Sequence, residues 1–151
     1  MPLLDSPTPW SVIGWEACRT VEPDSSSPAC MDLARSWIEE CVSSHIGCQE
    51  GESRLPSRVI DVGSDSMEPR LYPSQGEVAT YTALSYVWGS FCHINTKKST
   101  LKQRLDGIPM SDLPKVFQDG IYLTRELGVK YIWIDSLCMQ LWGRVKDLRQ
   151  C

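Results

Sequence analysis

The feature that most constrains this chain is a short, almost wholly apolar run. Val129-Lys130-Tyr131-Ile132-Trp133-Ile134 is stopped by Asp135 and preceded at once by a helix-like stretch. Across 113–127, Leu113, Val116, Phe117, Gly120, Ile121, Thr124 and Leu127 follow the helical period. Ser111 or Asp112 stands where a cap belongs, and Gly128 supplies the stop. Upstream, the β-branched and aromatic segment 81–88 reads as a strand broken by Gly89-Ser90, with Leu84, Tyr86 and Trp88 on one face. Strand, helix and apolar strand in that order predict a βαβ unit of a parallel sheet, closed by a right-handed crossover. The connection from 89 to 131 is long enough to hold a further short strand at 93–96 and a turn of helix near Leu101.

Ahead of this unit, Ser27 and Pro28 suit a helix start. Leu33, Trp37, Cys41 and His45 recur every fourth residue, beside Ala34, Ile38 and Val42, up to Gly47. One face of that helix is expected to be buried. Segments 58–62 and 70–72 read as strands joined by the turn-rich Gly63-Ser64-Asp65-Ser66, a hairpin. The first 28 residues carry five prolines and the run Ser25-Ser26-Ser27, a composition that favours a mobile leader, although Trp10 and Trp15 call for a surface to cover. The expected organisation is a leader at 1–28, a helix plus hairpin at 29–76, and an α/β domain at 77–151 whose partial parallel or mixed sheet carries flanking helices.

With 151 residues, the chain has room for one ordinary core. Fifteen basic against 19 acidic side chains give a net charge of −4, which argues against a nucleic-acid binder relying on phosphate neutralisation. The charge is uneven. Residues 1–52 hold two basic and nine acidic side chains, residues 53–151 hold 13 and ten, and the character changes near residue 52. No apolar run approaches the roughly 18 residues of a membrane span, and the start Met1-Pro2-Leu3-Leu4-Asp5 lacks the regions of a secretory signal. Seven cysteines in that setting, an odd number, read as reduced thiols of the cytosol or nucleus rather than a disulfide framework, and a cytoplasmic location is expected.

If 81–88 and 129–134 are parallel, Trp88-Gly89-Ser90 and Asp135-Ser136-Leu137-Cys138 lie at the carboxyl ends of neighbouring strands, where open α/β sheets form their ligand crevices. Tyr86, Trp88, Gly89, Asp135, Ser136, Cys138 and Gln140 are therefore the candidate crevice residues. A carboxylate directly after an apolar strand must meet solvent, a donor or a ligand, so Asp135 stands out; its plain alternative is to cap the turn that follows. Cys138 is either a nucleophile or a small core residue, and no histidine is fixed beside it, which favours packing. Cys41-x3-His45-x2-Cys48 has metal-ligand residue types, with Cys30 a conceivable fourth, but fits no closed zinc pattern. Gly47 ends the helix before Cys48 and takes it off the shared face, so no metal is expected. Neither a phosphate-cradling glycine loop nor a Gly-x-Ser-x-Gly elbow occurs, and no cofactor is expected.

Three stretches carry a resemblance: Tyr81-Thr82-Ala83-Leu84-Ser85-Tyr86-Val87-Trp88-Gly89, then Leu113-Pro114-Lys115-Val116-Phe117-Gln118-Asp119-Gly120-Ile121, then Leu127 through Gln140 with its Tyr131-Ile132-Trp133-Ile134-Asp135-Ser136-Leu137-Cys138 centre. In order and separation they resemble the opening motifs of the fungal heterokaryon incompatibility domain. The Trp37, Cys41, His45, Cys48 helix and the segment Leu55-Pro56-Ser57-Arg58-Val59-Ile60-Asp61 resemble the leader that often precedes it. The resemblance covers about residues 35–140. It implies a role in non-self recognition and programmed cell death, acting through protein partners that include other incompatibility or NLR-type proteins. It also implies a distant relation to the Toll/interleukin-1 receptor fold, some members of which cleave NAD, though no catalytic glutamate is carried onto a position here. After Gln140 the family continues with an acidic, Trp-containing segment, whereas Leu141-Trp142-Gly143-Arg144-Val145-Lys146-Asp147 diverges. The resemblance thus implies the N-terminal half of the domain, truncated and weakly active by itself.

Overall fold

The computed structural model describes residues 22–48, 53–88 and 94–139. The expectations for the leader before residue 22, Trp10 and Trp15 included, lie outside them. Among the described residues, four helices and four strands follow in the order α1 (Pro28–Ser44), β1 (Arg58–Asp61), β2 (Arg70–Pro73), β3 (Tyr81–Ala83), α2 (Leu101–Asp106), α3 (Lys115–Glu126), β4 (Tyr131–Trp133) and α4 (Asp135–Cys138). Short 3-10 turns occupy Ile46–Cys48 and Met110–Asp112.

The strands make one mixed sheet in the order β2-β1-β4-β3. β1 and β2 form the expected antiparallel hairpin, pairing Arg58 with Pro73 through Asp61 with Arg70. β3 and β4 are parallel, as the βαβ reading predicts, with Tyr81 opposite Tyr131 and Ala83 opposite Trp133. β1 also pairs antiparallel with β4, Ile60 opposite Ile132, so the hairpin and the parallel pair share a sheet.

The alternation of side chains along these strands sorts the core into two faces. Ile60, Leu71 and Ile132 join Phe117 and Ile121 of α3, together with Ile108, Leu113, Ile134 and Leu137, in the main cluster. Val59 and Tyr131 point the other way, where Leu55, Tyr72 and Tyr81 cover them and Tyr72 stacks on Tyr131 at 5.4 Å between centroids. Trp133 is half-buried and packs against both clusters. Gly120 lets α3 approach closely: a Cβ there would sit 3.3 Å from Ile132 Cδ1. Thr124, buried beside it, shares a hydrogen bond of 2.7 Å with the hydroxyl of Thr82 on β3.

Three elements differ from the sequence expectation, each for a physical reason. The strand expected over 81–88 pairs only as Tyr81–Ala83, because its neighbour β4 ends at Trp133; the amide of Leu84 donates to the Trp133 carbonyl at 3.0 Å, and the partner chain then turns into α4. The helix expected from Leu113 starts at Lys115, since Pro114 holds Leu113 in an extended conformation and takes the capping position itself. In place of a strand at 93–96, Ile94 and Asn95 are irregular, and His93 lies outside the described residues. Buried Thr96 instead donates through its amide to the Ser136 carbonyl and through its hydroxyl to the Leu137 carbonyl, at 3.1 and 2.7 Å. The helical turn expected near Leu101 is α2.

The largest correction concerns α1. Its start is as expected, with Ser27 Oγ accepting from the amide of Cys30 at 3.3 Å and Pro28 in the first turn. The expected buried face is absent among the described residues: Met31 is the buried side chain, while Trp37, Ile38 and Val42 are 62%, 48% and 48% exposed. The helix is held through its first half. Arg35 reaches across to α3 and donates from Nε and Nη2 to the Glu126 carbonyl at 3.0 and 2.7 Å, and from Nη2 to the Glu126 carboxylate at 3.2 Å. A cation at the carbonyl-rich end of α3 offsets orphan acceptors and the helix dipole together.

Candidate functional site

Because β3 and β4 are parallel neighbours, the segments that leave them, 84–88 and 134–138, emerge at the same edge of the sheet. This is the geometry from which the crevice was expected. The structure brings Tyr86, Trp88, Asp135, Ser136 and Cys138 to it; Gly89 and Gln140 lie outside the described residues.

Asp135 is the hinge of the arrangement. Its Oδ2 accepts from the indole Nε1 of Trp88 at 2.9 Å, and its Oδ1 accepts from the amide of Ser136 at 2.6 Å. The carboxylate thus satisfies the first turn of α4 and binds the chain that leaves β3. Ile134 holds the cap position of α4, with no side-chain cap hydrogen bond, so Asp135 is the first helical residue and meets its two donors there rather than capping the helix. Tyr86 packs edge-on against Phe117 with centroids 5.0 Å apart. Its hydroxyl is pushed above the ordinary tyrosine value, mainly by burial and further by the charge of Asp135, against the lowering effect of Ser136. The Ser136 hydroxyl is itself buried.

Cys138 lies in the core cluster rather than at the open sheet edge. Burial pushes its thiol up to about 11, against smaller lowering effects from the Ile134 amide and the Arg58 charge. At neutral pH it is a protonated packing residue, and thiolate chemistry is closed to it. The sequence reading missed the two residues that brace this edge from behind. Arg58, at the start of β1, donates from Nε to the Cys138 carbonyl at 2.8 Å, and Thr96 binds the Ser136 and Leu137 carbonyls. Neither carries a local sequence signal, because each contact spans 40 residues or more of chain.

The other candidate group lies at the end of α1. The helix stops at Ser44, His45 caps it by donating its amide to the Cys41 carbonyl at 3.1 Å, and the turn Ile46–Cys48 folds the chain back. The helix break was expected to take Cys48 away from Cys41; instead it returns the Cys48 sulfur to 2.9 Å from that of Cys41. Ligand atoms of Cys41, His45 and Cys48 all lie within 4.8 Å of one another. Cys30 is not part of the group.

Comparison with curated proteins and with solved structures finds no match for the chain. Comparison with protein families matches residues 81–142 to the heterokaryon incompatibility protein (HET) family. That span begins with β3, contains α3 and β4, and includes the candidate residues Tyr86, Trp88, Asp135, Ser136 and Cys138. Over these residues, which hold the parallel β3–α3–β4 unit, the chain is similar to the heterokaryon incompatibility protein (HET) family.

Proposed function

We propose that the chain acts in the cytoplasm as a signalling and interaction module of non-self recognition, coupling contact with an incompatible partner protein to programmed cell death. The observation that carries this reading is the family match over 81–142, which coincides with the parallel β3–α3–β4 unit. The chemistry of the crevice favours an interaction role over turnover. Asp135 has both oxygens engaged, by Trp88 and by the start of α4, and the nearby thiol is held protonated. A general base or nucleophile needs a group free to take or share a proton with a substrate. The partners this reading calls for are other incompatibility or NLR-type proteins.

The test is inducible expression in a filamentous fungal host, with Asp135→Ala and Trp88→Phe beside the parent chain and protein levels matched. Viability should fall with the parent chain in a partner-dependent way and recover with Asp135→Ala. Purified protein should leave NAD intact. Steady NAD consumption would instead make the chain an enzyme, and killing that persists in a well-expressed Asp135→Ala variant would remove the crevice from the mechanism.

A further inference from the structure

The C-terminal end of α1 gathers a set of side chains that neither the core nor the crevice uses. Cys41 sits in the last turn of the helix, His45 at its cap and Cys48 at the end of the turn that folds back, so two cysteine sulfurs and one imidazole converge at the same point. Cys41 and Cys48 are half-buried and His45 is exposed, which leaves the group open to solvent on one side. We propose that Cys41, His45 and Cys48 form a three-ligand site for a thiophilic divalent cation of the zinc class, with the fourth coordination position open to solvent.

Three observations converge on it. The donor set is two sulfurs and one imidazole nitrogen, which selects a borderline-soft metal over magnesium or calcium. The spacing is right as well. Zinc–sulfur bonds of about 2.3 Å in a tetrahedron set neighbouring donors about 3.8 Å apart, and the present donor atoms span up to 4.8 Å with the sulfurs at 2.9 Å. Small rotations of side chains at an exposed helix end reach that geometry without moving the backbone. The third observation is electrostatic. The last turn of α1 carries no basic residue, so the negative end of its dipole is uncompensated there, and a bound cation would supply the missing positive charge. A bound metal would take both sulfurs as thiolates and release their protons. A disulfide between the same sulfurs would leave the imidazole with no part to play, whereas the cation uses all three.

The experiment uses the whole 151-residue chain, purified under reductant without chelator. Zinc content is measured by elemental analysis, and affinity by competition with a chromophoric chelator. Cobalt(II) titration then reports thiolate ligation through its near-ultraviolet charge-transfer band. The expected result is about one metal per chain with the thiolate band present. Cys41→Ser and Cys48→Ser should each lose the band and weaken zinc binding ~100-fold or more, and His45→Ala should weaken it ~10-fold. Cys30→Ser, the control at the other end of the helix, should change nothing. Parent protein that takes up no zinc overturns the proposal without recourse to any variant. So does zinc that survives in Cys41→Ser and Cys48→Ser, or mass spectrometry showing a Cys41–Cys48 disulfide in a chain that binds no metal once reduced.

Discussion

Helices α1 and α3 start from similar sequence patterns and end in opposite situations. Both place large apolar side chains at helical spacing. In α3 the stripe is spent on the sheet, with Phe117, Ile121 and Thr124 buried over Ile60 and Ile132. In α1 Met31 is buried and Trp37, Ile38 and Val42 are open, so the helix hangs on Met31 and the Arg35 fork to Glu126. Periodicity therefore states that a face exists; only the topology states what covers it. The βαβ connection forces α3 onto the sheet, and no comparable constraint acts on α1.

The contrast can be broken most severely at its centre. Replacing Phe117 by Ala should destabilise the fold by about 3–5 kcal/mol in denaturant melts, since the ring is fully buried and supports Tyr86; a loss below about 1 kcal/mol would mean the α3 face is not the main core. The next effect is one of pH. The folded state holds the Cys138 proton up to about 11, above the ordinary value of 9.0. Between these values the unfolded chain gives up its proton while the folded chain keeps it, so the stabilisation is full below pH 9 and is lost as pH rises towards 11. The fall should amount to roughly 2–3 kcal/mol, and Cys138→Ala should flatten this part of the curve. If the slopes of parent and variant coincide, the thiol is not buried as described. The smallest effects belong to α1. Arg35→Ala should cost about 1 kcal/mol, because its partners are half-exposed, and should lower hydrogen-exchange protection in α1 while leaving α3 unchanged. Trp37→Ala should stay within about 0.5 kcal/mol; a larger loss would mean that α1 is covered after all.

What could be read in advance follows the range of the interactions involved. The hairpin, the parallel pair and the shared edge where Trp88 meets Asp135 were legible, because alternation, helical period and turn residues are local signals and the connection rules do the rest. The extent of β3 was not, since it depends on where β4 stops. Nor was the pairing of β1 with β4, which takes its register from residues some 70 positions away. Arg58 and Thr96 brace the crevice through backbone carbonyls that any sequence would offer, so their residue types carried no warning. At Cys48 the sequence marks where the helix ends but not that the chain folds back onto Cys41, because the direction of a turn is not written in its composition.

The position of β4 between β1 and β3 has a consequence for the order of assembly. During synthesis the β1–β2 hairpin can close on itself as soon as residue 73 is free, but β3 then has no neighbour. Both its edge and the outer edge of β1 stay open until about 50 more residues emerge and β4 slides into the slot between them. Of the four described strands, the last made is the one that joins the two halves of the sheet. A chain arrested before Trp133 therefore exposes two strand edges at once, the form in which this molecule is most exposed to pairing with the wrong partner.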